Sequence, residues 1–338
     1  MNPVLVEVTR GNTVESVHHG AIAVVDANGK TVVEIGDIDV PVFPRSAIKG
    51  LQAIPLVESG AVDKFNLPLE ALAIACASHN GEQRHVDTAA AMLSAAGLNE
   101  DAYECGVHWP KRVEDHAHLH AAGGPGQLHN NCSGKHAGFL CASVALGLDT
   151  HGYVEESHPL QREVKAVLEA MSGVVHEQDV CGRDGCSIPT YAIPLRNAAL
   201  AFARFGTGVG LDKSRATAAK RIRKAVAAAP FMVAGTGRFC TSVMDLFGER
   251  AFVKVGAEGV FCASLPELGL GVALKCSDGG VRAAEVLMAA VLAAKLSSTE
   301  AEEASLTPHL LQKLENWRGF HVGDVRLSDG VMYQLRNS

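Results

Sequence analysis

Residues 4 to 40 alternate apolar and polar positions, and Asp26, Asn28 and Gly29 interrupt the alternation where a hairpin turns. This spacing predicts an antiparallel β start. From about Pro44 to Phe205 the apolar positions recur at helical spacing, in LEALAIACAS, HVDTAAAMLSAAG and HAGFLCASVALG, each ending near Gly or Ser. Two more helices are predicted, around Pro159 to Met171 and Arg215 to Ala228. At Ala251 the period returns to two, in AFVKVGAEGVFCASL and GLGVALKCSDGG, which reads as a second hairpin or strand pair. The alanine-rich RAAEVLMAAVLAAKL then reads as a buried or half-buried helix. Together these elements predict an α+β fold in which both termini (residues 1–60 and 236–338) build one antiparallel sheet with flanking helices, and residues 61–235 form an inserted, mainly helical lobe. Clefts between such lobes are favoured binding sites.

At 338 residues and 47% hydrophobic, the chain can bury a sizeable core. Its 30 Lys and Arg against 37 Asp and Glu give a net charge of −7, without the basic excess that nucleic acids and anionic membranes select. The amino terminus lacks a basic region followed by an apolar stretch, and no run reaches the roughly 18 apolar residues of a membrane span. Nine cysteines, an odd number, fit reduced thiols better than a disulfide framework, so a cytoplasmic location is expected.

Three short motifs then appear in an informative order. Ser46-Ala47-Ile48-Lys49 begins a predicted helix, where positions three apart share a face and bring an amine towards a hydroxyl. A serine hydroxyl is a weak nucleophile near pH 7, and an adjacent desolvated lysine can serve as its base, while backbone donors at the helix start can hold an oxyanion. Ser78-His79-Asn80 closes an apolar helix at a turn, and Lys254-Val255-Gly256 lies on a predicted strand. Each motif alone is common and has a plain structural reading. In this order and setting they match the Ser-x-x-Lys, Ser-x-Asn and Lys-Thr-Gly set of serine β-lactamases and penicillin-binding proteins. Val255 replaces the Thr that helps hold a β-lactam carboxylate, which argues against β-lactam substrates.

The longer strings PRSAIKGLQ, CASHNGE, NNCSGKHAGFL, GRDGCSIPTYAIPL and KVGAEGV are far more specific. Through them the chain resembles, over nearly its whole length, the class 3 or asparaginase II family of L-asparaginases, with a serine β-lactamase-like fold. The resemblance implies hydrolysis of L-asparagine to L-aspartate and ammonia through an acyl-enzyme, by a homodimer. It implies Ser46 as nucleophile with Lys49 as base, and Ser78 with Lys254 as a second Ser–Lys pair that relays protons. Sequence leaves open which serine attacks, and Ser46 is favoured for its place at a helix start with a lysine one turn on. Arg45, Asn80, His136 and Asp184 fall in matching strings as substrate-binding residues, Asp184 suiting an α-ammonium and Arg45 an α-carboxylate. The resemblance further implies Zn²⁺ held by Cys132, Lys135 and Cys186 with water, tuning substrate affinity rather than performing the chemistry.

Two other features read blandly. His116, His118 and His120 alternate as in a surface loop or strand, and GTGVG at Gly206 to Gly210 reads as an interhelical connection, having no phosphate-loop Lys. The rival functions are a glutaminase on the same fold, a β-lactam hydrolase or penicillin target, and a non-catalytic zinc-binding or scaffold protein.

Overall fold

A computed structural model describes residues 1–110, 112–121 and 123–337. The predicted β start is present as β1 (Val4–Arg10), β2 (Thr13–Asp26) and β3 (Thr31–Ile35), with the β2–β3 turn closed by Gly29 N–H donating to Asp26 O. Two short strand pairs follow, β4 (Pro41–Val42) with β7 (Ile193–Pro194) and β5 (Cys181–Arg183) with β6 (Pro189–Tyr191). The chain then returns to the main sheet with β8 (Phe252–Val255), β9 (Val260–Leu265) and β10 (Leu270–Cys276), and ends with β11 (Leu311–Glu315) and β12 (His321–Leu327).

The main sheet has the order β11-β12-β1-β2-β10-β9-β8, with β3 also on β2, and every pairing is antiparallel. The two termini therefore meet directly, Val6 opposite Leu327 and Val8 opposite Val325. All positions of β8 and β9 are buried, which requires cover on both faces of the sheet. Helices Leu195–Thr207 and Val281–Lys295 pack on β9 and β10, and the second is buried from Val286 through Leu292. The expected α+β arrangement is the one found. No helix of the described residues is long and apolar enough to cross a membrane.

The intervening segment packs helix on helix: Leu69–Ala75, Gln83–Ala95 and Ser133–Leu146 contact one another. Lys213–Ala228 lies on Leu69–Ala75, and GTGVG joins it to Leu195–Thr207. The histidine tract corrects its sequence reading. Residues Val113–Ala121 form a helix, because Ala117, Leu119 and Ala121 supply helix formers around the histidines. His116 and His120 pack against Trp109, with ring centroids 5.3 and 5.1 Å away, and the side chain of His118 lies outside the described residues.

Candidate active site

Ser46 and Lys49 do not start a regular α-helix. Arg45–Ile48 is a 3-10 turn that leads into Lys49–Gln52, and in 3-10 geometry residues three apart eclipse one another, so both residues still sit on one face. Arg45 enters the turn at φ 51°, a left-handed conformation that costs a non-glycine residue free energy and clusters at functional sites. The end of β8 abuts this turn because Gly256 has no side chain: a Cβ there would lie 2.7 Å from Pro44 O and 3.2 Å from the Ala47 methyl.

The three motifs converge on one hydroxyl. Lys49 Nζ donates to Ser78 Oγ at 2.9 Å, and Lys254 Nζ donates to the same oxygen at 2.9 Å. Lys49 also donates to Ala77 O at 2.6 Å and Cys132 Sγ at 3.0 Å, and Lys254 to Val255 O at 2.8 Å. Both lysines are buried, as is Ser78, whereas Ser46 is half-buried and its hydroxyl has no hydrogen-bond partner among the described residues. Burial and then the charge of Lys49 press the Lys254 amine down to about 7, where it exchanges protons at neutral pH.

The serine turn is clamped by Glu82 and by two residues outside every motif, Thr236 and Arg238. Asn80 Nδ2 donates to Glu82 Oε1 and to Thr236 O, each at 3.0 Å, and Arg238 Nη1 donates to Asn80 Oδ1 at 3.1 Å. Glu82 also accepts from the Thr236 N–H and hydroxyl, both at 2.7 Å, and pairs with Arg112 at 3.0 Å. Its carboxyl stays below the usual range because those donors outweigh the opposing effect of burial. A short loop packed against the turn gives no periodic or spaced signal in a sequence.

Asp184 sits at the tip of the β5–β6 hairpin, in a turn where Ser187 adopts φ 78°. Arg45 and Asp184, expected to meet opposite ends of a ligand, are joined to each other: Arg45 Nε and Nη2 donate to the two carboxylate oxygens at 3.1 Å each. Burial raises the Asp184 carboxyl, but the Arg45 bonds and the charge of Lys135 more than offset it, and the net shift is downward. His136 is buried, its Nδ1 2.8 Å from Tyr153 Oη, and its Nε2 has no hydrogen-bond partner among the described residues. Burial, with Lys135 and Lys49 nearby, keeps the imidazole neutral by lowering its pKa well below the ordinary value.

Cys132, Lys135 and Cys186 also come together. Lys135 Nζ donates to Cys186 Sγ at 3.0 Å, and Cys132 Sγ donates to Asn131 Oδ1 at 3.1 Å. The neighbouring Cys186 holds the Cys132 thiol well below its ordinary value, and Cys132, with burial, pushes the Cys186 thiol up. Burial depresses the Lys135 amine, but the neighbouring Cys186 and Cys132 outweigh it and raise its pKa. Among the described residues no three His, Cys, Asp or Glu side chains converge as metal ligands, so a metal here needs the Lys135 amine as third donor. Two sulfurs and a nitrogen suit Zn²⁺ in kind, provided Lys135 and Cys186 give up protons. All nine cysteines are free thiols.

No curated protein matches the chain. Among solved structures it is similar to Mglu in its native form, at 12% identity over 78% of this chain and 61% of that one, with a TM-score of 0.44. The chain thus spans about three fifths of that protein's length. It is similar to a putative β-lactamase from Bacteroides dorei DSM 17855, at 15% identity over 77% and 85% of the two chains, with a TM-score of 0.37. A β-lactamase from Mycobacterium bovis is similar at 14% identity over 79% and 90%, with a TM-score of 0.39. The L-asparaginase II family model matches residues 6–327, nearly the whole chain and every residue of the site, and the chain belongs to that family of amide hydrolases.

Proposed function

We propose that the protein hydrolyses L-asparagine to L-aspartate and ammonia through an acyl-enzyme on Ser46. The observation that carries this reading is the Ser78 hydroxyl shared by Lys49 and Lys254, each at 2.9 Å. A hydroxyl held between two amines relays a proton, whereas the half-buried Ser46 hydroxyl is free to meet a carbonyl. When Lys254 is neutral, Ser78 passes it a proton and takes one from Lys49, which leaves Lys49 a free base one 3-10 turn from Ser46. Ser46 then loses its proton to Lys49 as its oxygen adds to the side-chain amide carbon. Lys49 returns that proton to the departing nitrogen, which leaves as ammonia, and the same base activates water to release aspartate.

The Arg45–Asp184 pair is charge-complementary to the head of a free amino acid: the carboxylate of Asp184 suits the α-ammonium and the guanidinium the α-carboxylate. His136 Nε2 and Asn80 add polar contacts. Cys132, Lys135 and Cys186 would hold a zinc ion, which would supply positive charge near the site, while the Ser–Lys groups do the bond chemistry.

The test is kcat/KM for Asn, Gln and N-acetyl-Asn. With both ends of the amino acid held, Asn should exceed Gln by more than the roughly 10- to 200-fold ceiling of one methylene in an apolar pocket, because a displaced carbonyl also misses the oxyanion donors. Asp184→Ala should cost activity on Asn more than on N-acetyl-Asn. Equal rates on Asn and Gln would make the protein a glutaminase, nitrocefin turnover a β-lactamase, and no ammonia release at all a binding protein.

A further inference from the structure

We propose that a cavity beside Arg45, with a volume of about 420 Å³, is a regulatory site for a free α-amino acid with an apolar side chain. Binding there is independent of the proposed reaction; its effect on asparagine turnover rests on that reading. The cavity is walled by the chain between β3 and Arg45, by the β8–β9 turn and by the end of β10. Its volume falls within the range of small-molecule sites. Arg45 lines it, whereas Ser46, Ser78 and Asp184 do not, so it is a second compartment that meets the candidate active site at one guanidinium.

The unused polar groups of this cavity define its ligand. Arg45 spends Nε and Nη2 on Asp184, and its Nη1 has no hydrogen-bond partner among the described residues. Lys275 is half-buried and donates to Glu258 O and Cys276 O at 2.5 and 2.7 Å, which leaves the third N–H of its ammonium unused. These two cations suit a carboxylate. Glu258 stands in the β8–β9 turn at φ 55°, a left-handed conformation that costs free energy and clusters at functional sites. Its carboxylate has no hydrogen-bond or ion-pair partner among the described residues, and after Asp184 it is the acid whose charge acts on Arg45. With Asp37, also in the lining, Glu258 suits an ammonium. The remaining wall is apolar, from Val40, Val42, Phe43 and Leu195, and Val40 and Phe43 are 50% and 42% exposed, leaving surface for a ligand to cover. Two cations, two acids and an apolar wall together select a zwitterion with an apolar side chain. A ligand carboxylate that accepts from Arg45 Nη1 pulls on the same guanidinium that clamps Asp184, so an occupied cavity loosens the end of the site that holds the substrate's head and leaves Lys49, Ser78 and Lys254 untouched.

Isothermal titration calorimetry of the full chain with L-phenylalanine, 3-phenylpropionate and 2-phenylethylamine tests the site, and steady-state kinetics on Asn with added L-phenylalanine test the coupling. Phenylalanine should bind, and the analogues without its ammonium or its carboxylate should bind about tenfold more weakly, the scale of one lost charge-assisted hydrogen bond. Lys275→Met and the surface variant Phe43→Ser should each weaken phenylalanine by about tenfold, while leaving turnover of Asn alone unchanged. Phenylalanine should raise KM for Asn at constant kcat in the unsubstituted protein, and do so less in either variant. Absence of binding, equal binding of all three probes, or turnover of Asn that phenylalanine leaves unaltered would overturn the proposal. Binding and inhibition that persist undiminished in both variants would place phenylalanine in the substrate cleft and overturn it as well. Binding that follows the predicted pattern in a chain that releases no ammonia from Asn would support the site and refute the reaction.

Discussion

Lys254 is a strand residue whose amine, buried and facing a second lysine, is pressed to about 7. Loss of its proton is what lets Ser78 relay, so kcat/KM should rise with pH through about 7 and level off above it. Lys254→Met should remove that limb and lower kcat by roughly two orders of magnitude, the scale of a lost general base. A pH–rate profile of the two proteins checks both statements, and an unchanged limb in the variant would assign it to another group. Zinc should respond to pH in the same sense. Lys135 and the Cys132–Cys186 pair carry protons that a metal must displace, so zinc affinity in competition dialysis should fall as pH falls from 8 to 6, and Cys132→Ser with Cys186→Ser should abolish it. At this scale the sequence was informative where a motif has fixed spacing: Ser46, Lys49, Ser78 and Lys254 could all be named in advance. Thr236 and Arg238 could not, since they join the Asn80 turn from a distant loop through bonds that follow no period, and Glu82, though inside CASHNGE, carried no sign of its role.

The elements that carry these residues are pressed together at glycines. The helix Ser133–Leu146, which bears Lys135 and His136, crosses Leu69–Ala75, which leads into Ser78, at Gly134. A Cβ at Gly134 would collide with Ile74 O and lie 2.6 Å from Ile74 Cγ1. Gly134→Ala should therefore destabilise the fold by about 1–3 kcal/mol through overpacking and also lower kcat, because the two helices part where the site is built. Denaturant unfolding measures the first effect and steady-state kinetics the second; full stability together with full activity would show that the crossing tolerates a methyl. Apolar periodicity revealed most helices and both hairpin regions. It missed the 3-10 character of Arg45–Ile48, because four residues around a strained Arg45 are too few to show a period. It also misread the histidine tract, where alternation of His with apolar residues imitates a strand although the segment is a helix.

Over the whole molecule, Lys49, Ser78 and Lys254 lie far apart in sequence and meet because the chain leaves the sheet after β3 and re-enters it at β8. The order of the motifs, together with the β patterns at the start and after Ala251, made that closure readable, and the pairing of β2 with β10 is its direct expression, whereas β11 and β12 went unread. What sequence left open was which serine attacks: both lysines contact Ser78, while Ser46 lies half-buried without a hydrogen-bond partner among the described residues. Loss of activity in Ser46→Ala or Ser78→Ala alone does not separate attack from relay, since residues that act as a unit fail together. The acyl-enzyme itself does. Excess Asn should be mixed with the unsubstituted protein, quenched in acid during turnover and mapped by peptide mass spectrometry. An aspartyl ester on the peptide that contains Ser46, absent in Ser46→Ala, is the result predicted here; an ester on the Ser78 peptide would contradict the account.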